Sequence, residues 1–478
     1  MPQQLCRSEA TPTRGALARP QSSWTITRER VATTGALSRL WSRLTKRGAP
    51  RRTRRGALLS FLLGFFLLAP VTPAIATDSV SEWTELADVY GDGLANWRTQ
   101  AIMHQAIHDA LNAALPTYER WTPRAGDEPS AVGALPEAAL AAAAAKVLRM
   151  LHPSRQDDTD RALNRALDRY RAGKAREAGI QLGEAIGRAA VERRDNDGGS
   201  DVRPFVSSTE LGRWARTPEE YGGSNTTSTL PFLFIAADAS RAPPPPAIDS
   251  DDYRRSLEEV RRLGGANSTE RTDAQTQAAI FWAYQSSQRG YLHLAVRLLD
   301  ERPQPGGPLD HARVLSQLAS ALADSAILSW REKEHFAFWR PVTAIRTGSP
   351  GVTADPQWLP LLETPPFPEY PSGHAADCYT GSAVLQVTFG QLRDITYVAQ
   401  SSSESALDSL PVGMGQHGQL GHMIGRFARL FPSLDAAAEE CAESRIWAGA
   451  HFRQGLEEAD RLGRLIASRA AAAVPPLK

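Results

Sequence analysis

Apolar residues recur along this chain every three or four positions, the spacing of amphipathic helices. The segments with this period are approximately residues 80–115, 134–152, 155–195, 251–264, 271–300, 308–340, 373–390, 415–430, 434–448 and 455–473. No segment sustains the period of two that half-buried strands require. The pattern therefore predicts an all-α protein built from helical bundles.

Composition divides the chain into four parts. Residues 196–250 are rich in Gly, Ser, Thr and Pro and predict an irregular connection. They separate an N-terminal helical lobe, residues 77–195, from a C-terminal helical lobe, residues 251–478. Residues 1–76 are interpreted as a leader.

The leader has the pattern of a bacterial export signal. Four arginines between residues 51 and 55 precede the apolar run ALLSFLLGFFLLAP, and Ala74-Ile75-Ala76 follows as a small-residue cleavage site. We expect cleavage after Ala76 and a periplasmic or secreted protein. The run is short for a membrane span, so no stable membrane insertion is expected after cleavage, and an uncleaved anchor is the alternative.

Removal of the leader changes the charge balance. The whole chain carries a net charge of +1, whereas residues 77–478 hold 41 basic and 51 acidic residues, a net charge of about −10. An acidic body argues against a nucleic acid partner.

Three blocks of the C-terminal lobe, WREKEHFAFWRP, YPSGH and SRIWAGAH, carry the residues needed to hold a tetrahedral oxyanion. These candidate residues are Lys333, Arg340, Ser372, Gly373, His374, Arg445 and His451. They supply three cations, a hydroxyl, a glycine amide and two imidazoles.

The spacing within each block bears on whether the blocks converge. Lys333 and Arg340 are seven residues apart, which puts them on one face of a helix, and the proline after Arg340 predicts a helix end there. Ser372 and Gly373 should begin a helix, whose free amides favour an anion. Between Arg445 and His451, a helix break is predicted at Gly449.

Together the blocks resemble the three-part signature of the vanadium-dependent haloperoxidases and the type-2 phosphatidic acid phosphatases: Lys, six residues, Arg-Pro; then Pro-Ser-Gly-His; then Ser-Arg, five residues, His. The resemblance covers residues 330–455. WRTQAIMHQAIHDALNAA, RAPPPP, LEEVRRLGG and IFWAY also resemble segments of the bacterial haloperoxidase-like branch. The resemblance implies helical bundles of the vanadium haloperoxidase and acid phosphatase type, and a vanadate cofactor.

The resemblance also implies a role for each candidate residue. Those that neutralise or bond the oxygens of vanadate are Lys333, Arg340, Ser372, Gly373 and Arg445. His451 is the implied axial ligand of vanadium, His374 the implied acid–base residue, and Lys333 polarises bound peroxide. The implied substrates are hydrogen peroxide and halide, with hypohalous acid as the product. An organic acceptor and a homo-oligomer are both compatible with this function.

Two other functions use the same residues. In a phosphatase, His451 attacks phosphorus and His374 protonates the leaving group. In a non-catalytic relative, the pocket binds an oxyanion without turnover. Three features favour the peroxidase. Trp330 and Phe367 match aromatic residues on the halide side of fungal chloroperoxidase-like enzymes, the stretch between the second and third blocks is long, and Gly455 stands where the phosphatase pattern has Asp. Core packing is the alternative for both aromatic residues.

The chain departs from the family pattern at two positions. Gly455 stands where the phosphatase pattern has an Asp that orients the last histidine, and Glu457 and Glu458 are the nearby candidates to replace it. Tyr284 stands where relatives often have an Asp that pairs with a cofactor-binding arginine.

A cysteine pair and a histidine pair each allow more than one interpretation. Cys378 and Cys441 each lie one helical turn from a candidate residue, so they form either a disulfide of an exported protein or two buried thiols. His104 and His108, followed by Asp109, have half the spacing of a zinc site but no third ligand block. We predict packing or polar contacts for them.

Overall fold

The computed structural model describes residues 78–90, 96–216, 224–234, 241–283, 286–398 and 428–473. Within these ranges the first five helices are α1 (Asp78–Tyr90), α2 (Asn96–Ala114), α3 (Pro136–Leu151), α4 (Gln156–Leu167) and α5 (Lys174–Glu192). The next six are α6 (Asp251–Leu263), α7 (Asp273–Ala283), α8 (Ser287–Glu301), α9 (Pro308–Phe336), α10 (Pro341–Thr347) and α11 (Gly373–Phe389). Strands β1 (Ile395–Val398) and β2 (Ala428–Phe431) precede α12 (Leu434–Trp447) and α13 (Arg453–Ala473).

The predicted all-α class is confirmed, because helices dominate the described chain. Their buried faces form one main hydrophobic cluster that includes residues of both predicted lobes. The lobe boundaries stay a prediction. The leader lies outside the described residues, as do the export signal and its cleavage site. Of the helices in the described ranges, none is long and apolar enough to cross a membrane.

One predicted helix is wrong in part. Residues 428–430 of the predicted helix 415–430 belong to β2, and its remainder lies outside the described ranges. β2 pairs antiparallel with β1, with Phe431 opposite Ile395. Each strand has only four residues, and neither ITYV nor ARLF alternates strictly between apolar and polar residues, which is the pattern that identifies a strand in sequence.

The end of α9 also differs from the prediction. The helix ends at Phe336, and Ala337 takes a left-handed conformation with φ of 45°. The N–H of Ala337 donates to the carbonyl of Lys333 at 2.9 Å, and its own carbonyl accepts from the N–H of Trp214 at 2.7 Å. Arg340 is extended and precedes the first residue of α10. Lys333 and Arg340 therefore lie on different elements, not on one helix face.

The connection between the predicted lobes packs along α9. Its described residues contain neither helix nor strand. Buried Asp324 of α9 accepts hydrogen bonds from the N–H groups of Phe232 and Leu233 at 2.6 and 2.8 Å. Arg331 of α9 donates to the carbonyl of Thr229 at 2.8 Å. These contacts hold the irregular segment against the helix that carries Lys333.

Close packing explains the small residues of the N-terminal helices. Glycines of α5 face the alanine-rich α3, and a Cβ added at Gly183 would lie 2.2 Å from the carbonyl oxygen of Ala139. Side chains of this size are the ones that let two helix backbones approach each other. The alanine run of residues 141–145 is accordingly buried.

A disulfide joins the two helices that carry the second and third motif blocks. Cys378 of α11 and Cys441 of α12 are bonded, with their Cα atoms 6.5 Å apart. Of the two alternatives that the sequence left open, the structure has the disulfide. The predicted break at Gly449 is confirmed, because α12 ends at Trp447 and Gly449 has φ of 78°.

Candidate active site

The seven candidate residues come from five elements. Lys333 is in the last turn of α9, and Arg340 caps the N-terminus of α10. Ser372 is the N-cap of α11, as predicted, and Gly373 and His374 begin that helix. The last two lie around the break between α12 and α13: Arg445 in the last turn of α12, and His451 just before α13.

Lys333 is buried and ties α9 to the loop before α11. Its Nζ donates to the carbonyls of Pro368 and Glu369 at 3.0 and 2.8 Å and also to that of Pro371. Burial lowers the pKa of Lys333, and the positive charge of Arg340 lowers it further. The ammonium therefore lies in a dry pocket beside a second cation.

Arg340 joins the loop before α11 to the third block. Its Nε donates to the carbonyl of Phe367 at 2.8 Å, and its Nη1 donates to the carbonyl of Ala450 at 2.9 Å and lies 3.0 Å from Nε2 of His451. Its Nη2 is buried and has no hydrogen-bond partner among the described residues. Burial lowers the pKa of Arg340 to about 9.

His451 is held on both ring nitrogens. Its Nδ1 lies 2.8 Å from Oε1 of Glu369, and its Nε2 faces the guanidinium of Arg340. Because a guanidinium can only donate, Nε2 accepts and Nδ1 carries the proton. Burial lowers the pKa of His451, and Arg340, Lys333 and Arg445 lower it further. The imidazole is thus neutral near neutral pH and directs its Nε2 lone pair toward the cations.

Glu369 takes the place that the sequence analysis assigned to other residues. The carboxylate is buried, and its Oε1 also accepts from the N–H of Phe452 at 3.1 Å. Glu457 is exposed and Glu458 pairs with Arg461, so neither replaces the missing Asp at Gly455. Burial raises the pKa of Glu369 to about 7, while Lys333 and Arg340 favour its charged form.

Arg445 and His374 lie on the two helices joined by the disulfide. Arg445 donates from Nε to Oγ of Ser444 at 3.0 Å and from Nη2 to the carbonyl of Ala279 at 3.3 Å. Burial lowers the pKa of Arg445 to about 10. Burial and then Arg445 lower the pKa of His374, whose Nε2 is buried without a partner among the described residues. Tyr284, the second departure from the family pattern, lies outside those residues.

Ser372 and Gly373 bring a helix N-terminus to the site. Oγ of Ser372 accepts from the N–H of Ala375 at 3.3 Å. A Cβ added at Gly373 would lie 3.8 Å from Cε of Lys333 and 3.9 Å from Nε1 of Trp330. The positive end of the helix dipole of α11 thus adds to the charge of the cations.

Aromatic rings cover one side of the cations. The centroid of Phe367 lies 5.5 Å from Nζ of Lys333, 5.0 Å from the guanidinium carbon of Arg340 and 4.8 Å from the ring of Trp330. Phe205, from the irregular connection, continues the wall at 5.8 Å from Trp330. Both aromatic residues named by the sequence analysis therefore border the site, and a role toward halide stays a prediction.

The histidines of α2 have structural contacts. Nε2 of His104 lies 3.3 Å from Oγ1 of Thr84, and Nδ1 of His108 lies 3.1 Å from Oδ1 of Asp109. Asp109 also accepts from the N–H of Thr122 at 2.7 Å. These contacts agree with the predicted polar packing.

The residues present fit a multiply charged oxyanion. Lys333, Arg340 and Arg445 are buried together, and their charges act on the same imidazole. Glu369 is the one carboxylate that the described contacts bring into this group. A buried excess of positive charge is costly unless it is paired, and the unpartnered Nη2 of Arg340 is a donor available to a ligand.

Known proteins share this fold and the motif-bearing region. A family model described as the VCPO second helical-bundle domain matches residues 313–476. Vanadium chloroperoxidase from Curvularia inaequalis is 33% identical over 167 residues, which are 30% of this chain and 27% of that protein. Residues 313–476, which carry the three motif blocks, therefore resemble the second helical-bundle domain of the vanadium chloroperoxidases. The match with the chloroperoxidase spans about a quarter of that relative's length.

Solved structures show that the fold is shared over most of the chain. The first bacterial vanadium-dependent iodoperoxidase superimposes with a TM-score of 0.68 at 20% identity, over 84% of this chain and 97% of its own. A holo-type bacterial vanadium-dependent chloroperoxidase gives a TM-score of 0.61 at 18% identity, over 80% and 92%. At these identities the likeness establishes the vanadium haloperoxidase fold.

Proposed function

We propose that this protein is a vanadate-dependent peroxidase that oxidises halide with hydrogen peroxide to hypohalous acid. The observation that carries the proposal is the buried excess of cations around a neutral His451, whose Nε2 lone pair points toward them. Such a pocket suits an oxyanion with more than one negative charge. The family's named chloroperoxidase and iodoperoxidase make vanadate the expected oxyanion.

Each side chain has one task in this proposal. The groups that hold the oxygens are the side chains of Lys333, Arg340, Ser372 and Arg445 and the amide of Gly373. Nε2 of His451 would bind the vanadium of the oxyanion. Vanadate held by these groups would supply the electrophilic centre at which hydrogen peroxide becomes reactive toward halide.

His374 is the proposed proton carrier. Each turnover consumes one halide, one hydrogen peroxide and one proton, and yields hypohalous acid and water. The buried Nε2 of His374 has no partner among the described residues and lies in the positive field of Arg445. An anion in the pocket offsets that field and raises the pKa of His374, so that the imidazole can hold a proton near neutral pH.

A phosphatase is the second candidate, and one observation supports it. The hydrogen bond from Nδ1 of His451 to Glu369 orients the other ring nitrogen as a nucleophile as well as it orients a metal ligand. The aromatic wall of Trp330 and Phe367 favours the peroxidase instead.

Activity assays on the purified protein separate the candidates. The metal-stripped protein is incubated with or without orthovanadate, and then given hydrogen peroxide with chloride, bromide or iodide. Monochlorodimedone loss and triiodide formation report halide oxidation, and nitrophenyl phosphate reports phosphatase activity. Vanadate-dependent halide oxidation that His451→Ala and His374→Ala abolish supports the proposal. His335→Ala is the matched control, because His335 is exposed on the same turn as Lys333.

Other results decide between the remaining functions. Phosphate release that vanadate suppresses, without halide oxidation, makes the protein a phosphatase. Oxyanion binding without either activity makes it a non-catalytic relative.

We also propose that the protein is exported and cleaved after Ala76. The disulfide between α11 and α12 supports export, since disulfides persist in oxidising compartments. N-terminal sequencing of the protein from the periplasm or medium tests this. A chain that starts at Met1 and stays in the cytoplasm contradicts it.

A further inference from the structure

We propose that Glu369 positions His451 for the oxyanion, and that Gly455 is the reason it can do so. The inference rests on the oxyanion site of the proposed function, but it concerns residues to which the family pattern gives no role. In that pattern an Asp four residues after the histidine provides the carboxylate. Here the carboxylate comes from the loop before α11, 82 residues earlier in the chain.

The backbone and side chain of Glu369 are both fixed. Its N–H donates to the carbonyl of Phe338 at 3.0 Å, and its carbonyl accepts from Nζ of Lys333 at 2.8 Å. Its Oε1 accepts from Nδ1 of His451 and from the N–H of Phe452. Because its backbone and its carboxylate are both held, Glu369 loses little further conformational entropy when it orients the imidazole of His451.

Gly455 leaves the space that the carboxylate fills. A Cβ added at Gly455 would lie 2.5 Å from Oε1 of Glu369, 3.3 Å from its Cδ and 3.5 Å from its Oε2. The first distance is shorter than any non-bonded contact allows. A side chain at position 455 and the present position of Glu369 therefore exclude each other.

The geometry also fixes the ring state of His451. With a carboxylate oxygen against Nδ1, the proton stays on Nδ1 and the lone pair stays on Nε2. Nε2 is the nitrogen beside Arg340, on the side where the cations gather. Without the carboxylate, the imidazole loses the contact that selects this tautomer and this ring orientation.

An aspartate at 455 should replace Glu369 from the opposite side. A carboxylate oxygen of Asp lies two bonds beyond Cβ, so it falls in the volume now occupied by Oε1. The combination Glu369→Ala with Gly455→Asp should therefore restore the contact to His451. Each single substitution should damage it, because Glu369→Ala removes the carboxylate and Gly455→Asp brings two carboxylates into one space.

Two measurements test the positioning without any turnover. Isothermal titration calorimetry with orthovanadate, and separately with tungstate, measures oxyanion affinity in the full chain. The 15N chemical shifts of histidine-labelled protein, with the His451 signals assigned through His451→Ala, report the tautomer in the absence of any oxyanion.

The expected results follow from the contacts. Glu369→Ala and Gly455→Asp each weaken orthovanadate binding by about 10- to 100-fold, and Glu369→Ala removes the fixed Nδ1–H signature of His451. The double variant returns to within about threefold of the wild type. Glu369→Gln has a side chain of the same length and keeps one acceptor oxygen, so it should retain the Nδ1–H tautomer of His451. It provides a second test of the contact if Glu369→Ala does not fold.

Three results would overturn the inference. They are an unchanged tautomer in Glu369→Ala, an unchanged affinity in that variant, and a double variant no better than its single parents. Failure of the proposed function is a separate outcome. A wild-type protein that binds vanadate, shows the fixed tautomer and yet oxidises no halide refutes the peroxidase and leaves the positioning role supported.

Discussion

Two buried polar clusters each include a residue of α9, Ser325 in one and Lys333 in the other, and they are built in opposite ways. The Asp377 cluster consists of Asp377, Ser287, Gln288 and Ser325. Both carboxylate oxygens of Asp377 are matched: Oδ1 accepts from Ser325 at 2.7 Å and from Gln288 at 3.3 Å, and Oδ2 accepts from Ser287 at 2.9 Å. One charge is surrounded by neutral donors.

The active-site cluster, formed by Lys333, Arg340, Glu369, Arg445 and His451, has three cations for one carboxylate and leaves a buried guanidinium nitrogen without a partner among the described residues. A matched network stabilises the fold. An unmatched network of cations costs stability and suits a ligand that completes it. The difference distinguishes a structural cluster from the proposed functional one, although both are buried.

The largest expected effect comes from the disulfide that lies beside both clusters. Cys378→Ser with Cys441→Ser opens a link between residues 63 apart in sequence and should lower the free energy of unfolding by about 4 kcal/mol. Urea unfolding followed by circular dichroism measures the loss. Wild-type protein with dithiothreitol is the control and should match the variant.

The same variant sharpens the comparison of the clusters. Orthovanadate affinity that survives the loss of the disulfide means that hydrogen bonds hold the active-site cluster. An unfolding midpoint that neither the substitutions nor the reductant move would show that the two cysteines are not bonded.

Removal of one cation should affect binding more than any change in the Asp377 cluster does. Arg340→Met is expected to weaken orthovanadate binding about 100-fold, because hydrogen bonds to a charged group contribute about 1.5 to 3 kcal/mol. Calorimetric titration measures the affinity. Arg346→Met is the matched control, since Arg346 is exposed on the same short helix. Equal orthovanadate affinities of the two variants would show that Arg340 does not contribute to oxyanion binding.

Substitutions in the Asp377 cluster should lower stability but leave orthovanadate binding nearly unchanged. Asp377→Ala leaves the donors of Ser287, Gln288 and Ser325 without an acceptor and should lower the free energy of unfolding by about 2 to 3 kcal/mol. Asp377→Asn, which retains one acceptor oxygen, should lower it less. Orthovanadate affinity should stay within about threefold of the wild type in both. A large loss of affinity in the folded Asp377→Asn variant would place Asp377 in the functional cluster.

The sequence predicted which groups come close together better than it predicted their contacts. Of the seven candidate residues, the structure brings Lys333, Arg340, Arg445 and His451 into one buried group, and their catalytic roles stay a prediction. The glycine and proline positions located the start of α11 and the break before His451. The predicted end of α9 differs from the observed one because Ala337 takes a left-handed conformation, in which its carbonyl accepts from the N–H of Trp214, more than 100 residues earlier. No local propensity carries that information.

Glu369 was missed for a similar reason. Helix spacing predicts neighbours of His451 only along α13, whereas the contact with Glu369 joins two loops that are far apart in sequence. Two signals were nevertheless present: an acidic residue three positions before Ser372, and a glycine where the family pattern has Asp. A carboxylate that is absent at position 455 and one that is present at position 369 together indicate that the carboxylate partner of His451 comes from a different position in this chain.

The smallest expected effect is the response of the Asp377 cluster to pH. Burial raises the pKa of Asp377 to about 6, against the lowering effect of its hydrogen bonds, whereas an Asp in the unfolded chain has a pKa of about 3.9. The folded protein therefore binds more protons between these two values, and the contribution of Asp377 to stability falls as pH rises toward 6.

Between pH 5 and pH 6 the free energy of unfolding of the wild type, minus that of Asp377→Asn, should fall by at most about 1.4 kcal/mol. Urea titrations of both proteins at the two pH values measure this difference. A difference that is the same at both pH values would mean that the neutral donors keep the carboxylate ionised throughout. In that case the hydrogen bonds of the Asp377 cluster would offset the cost of burying its charge. The active-site cluster, in contrast, is proposed to need a bound anion for this.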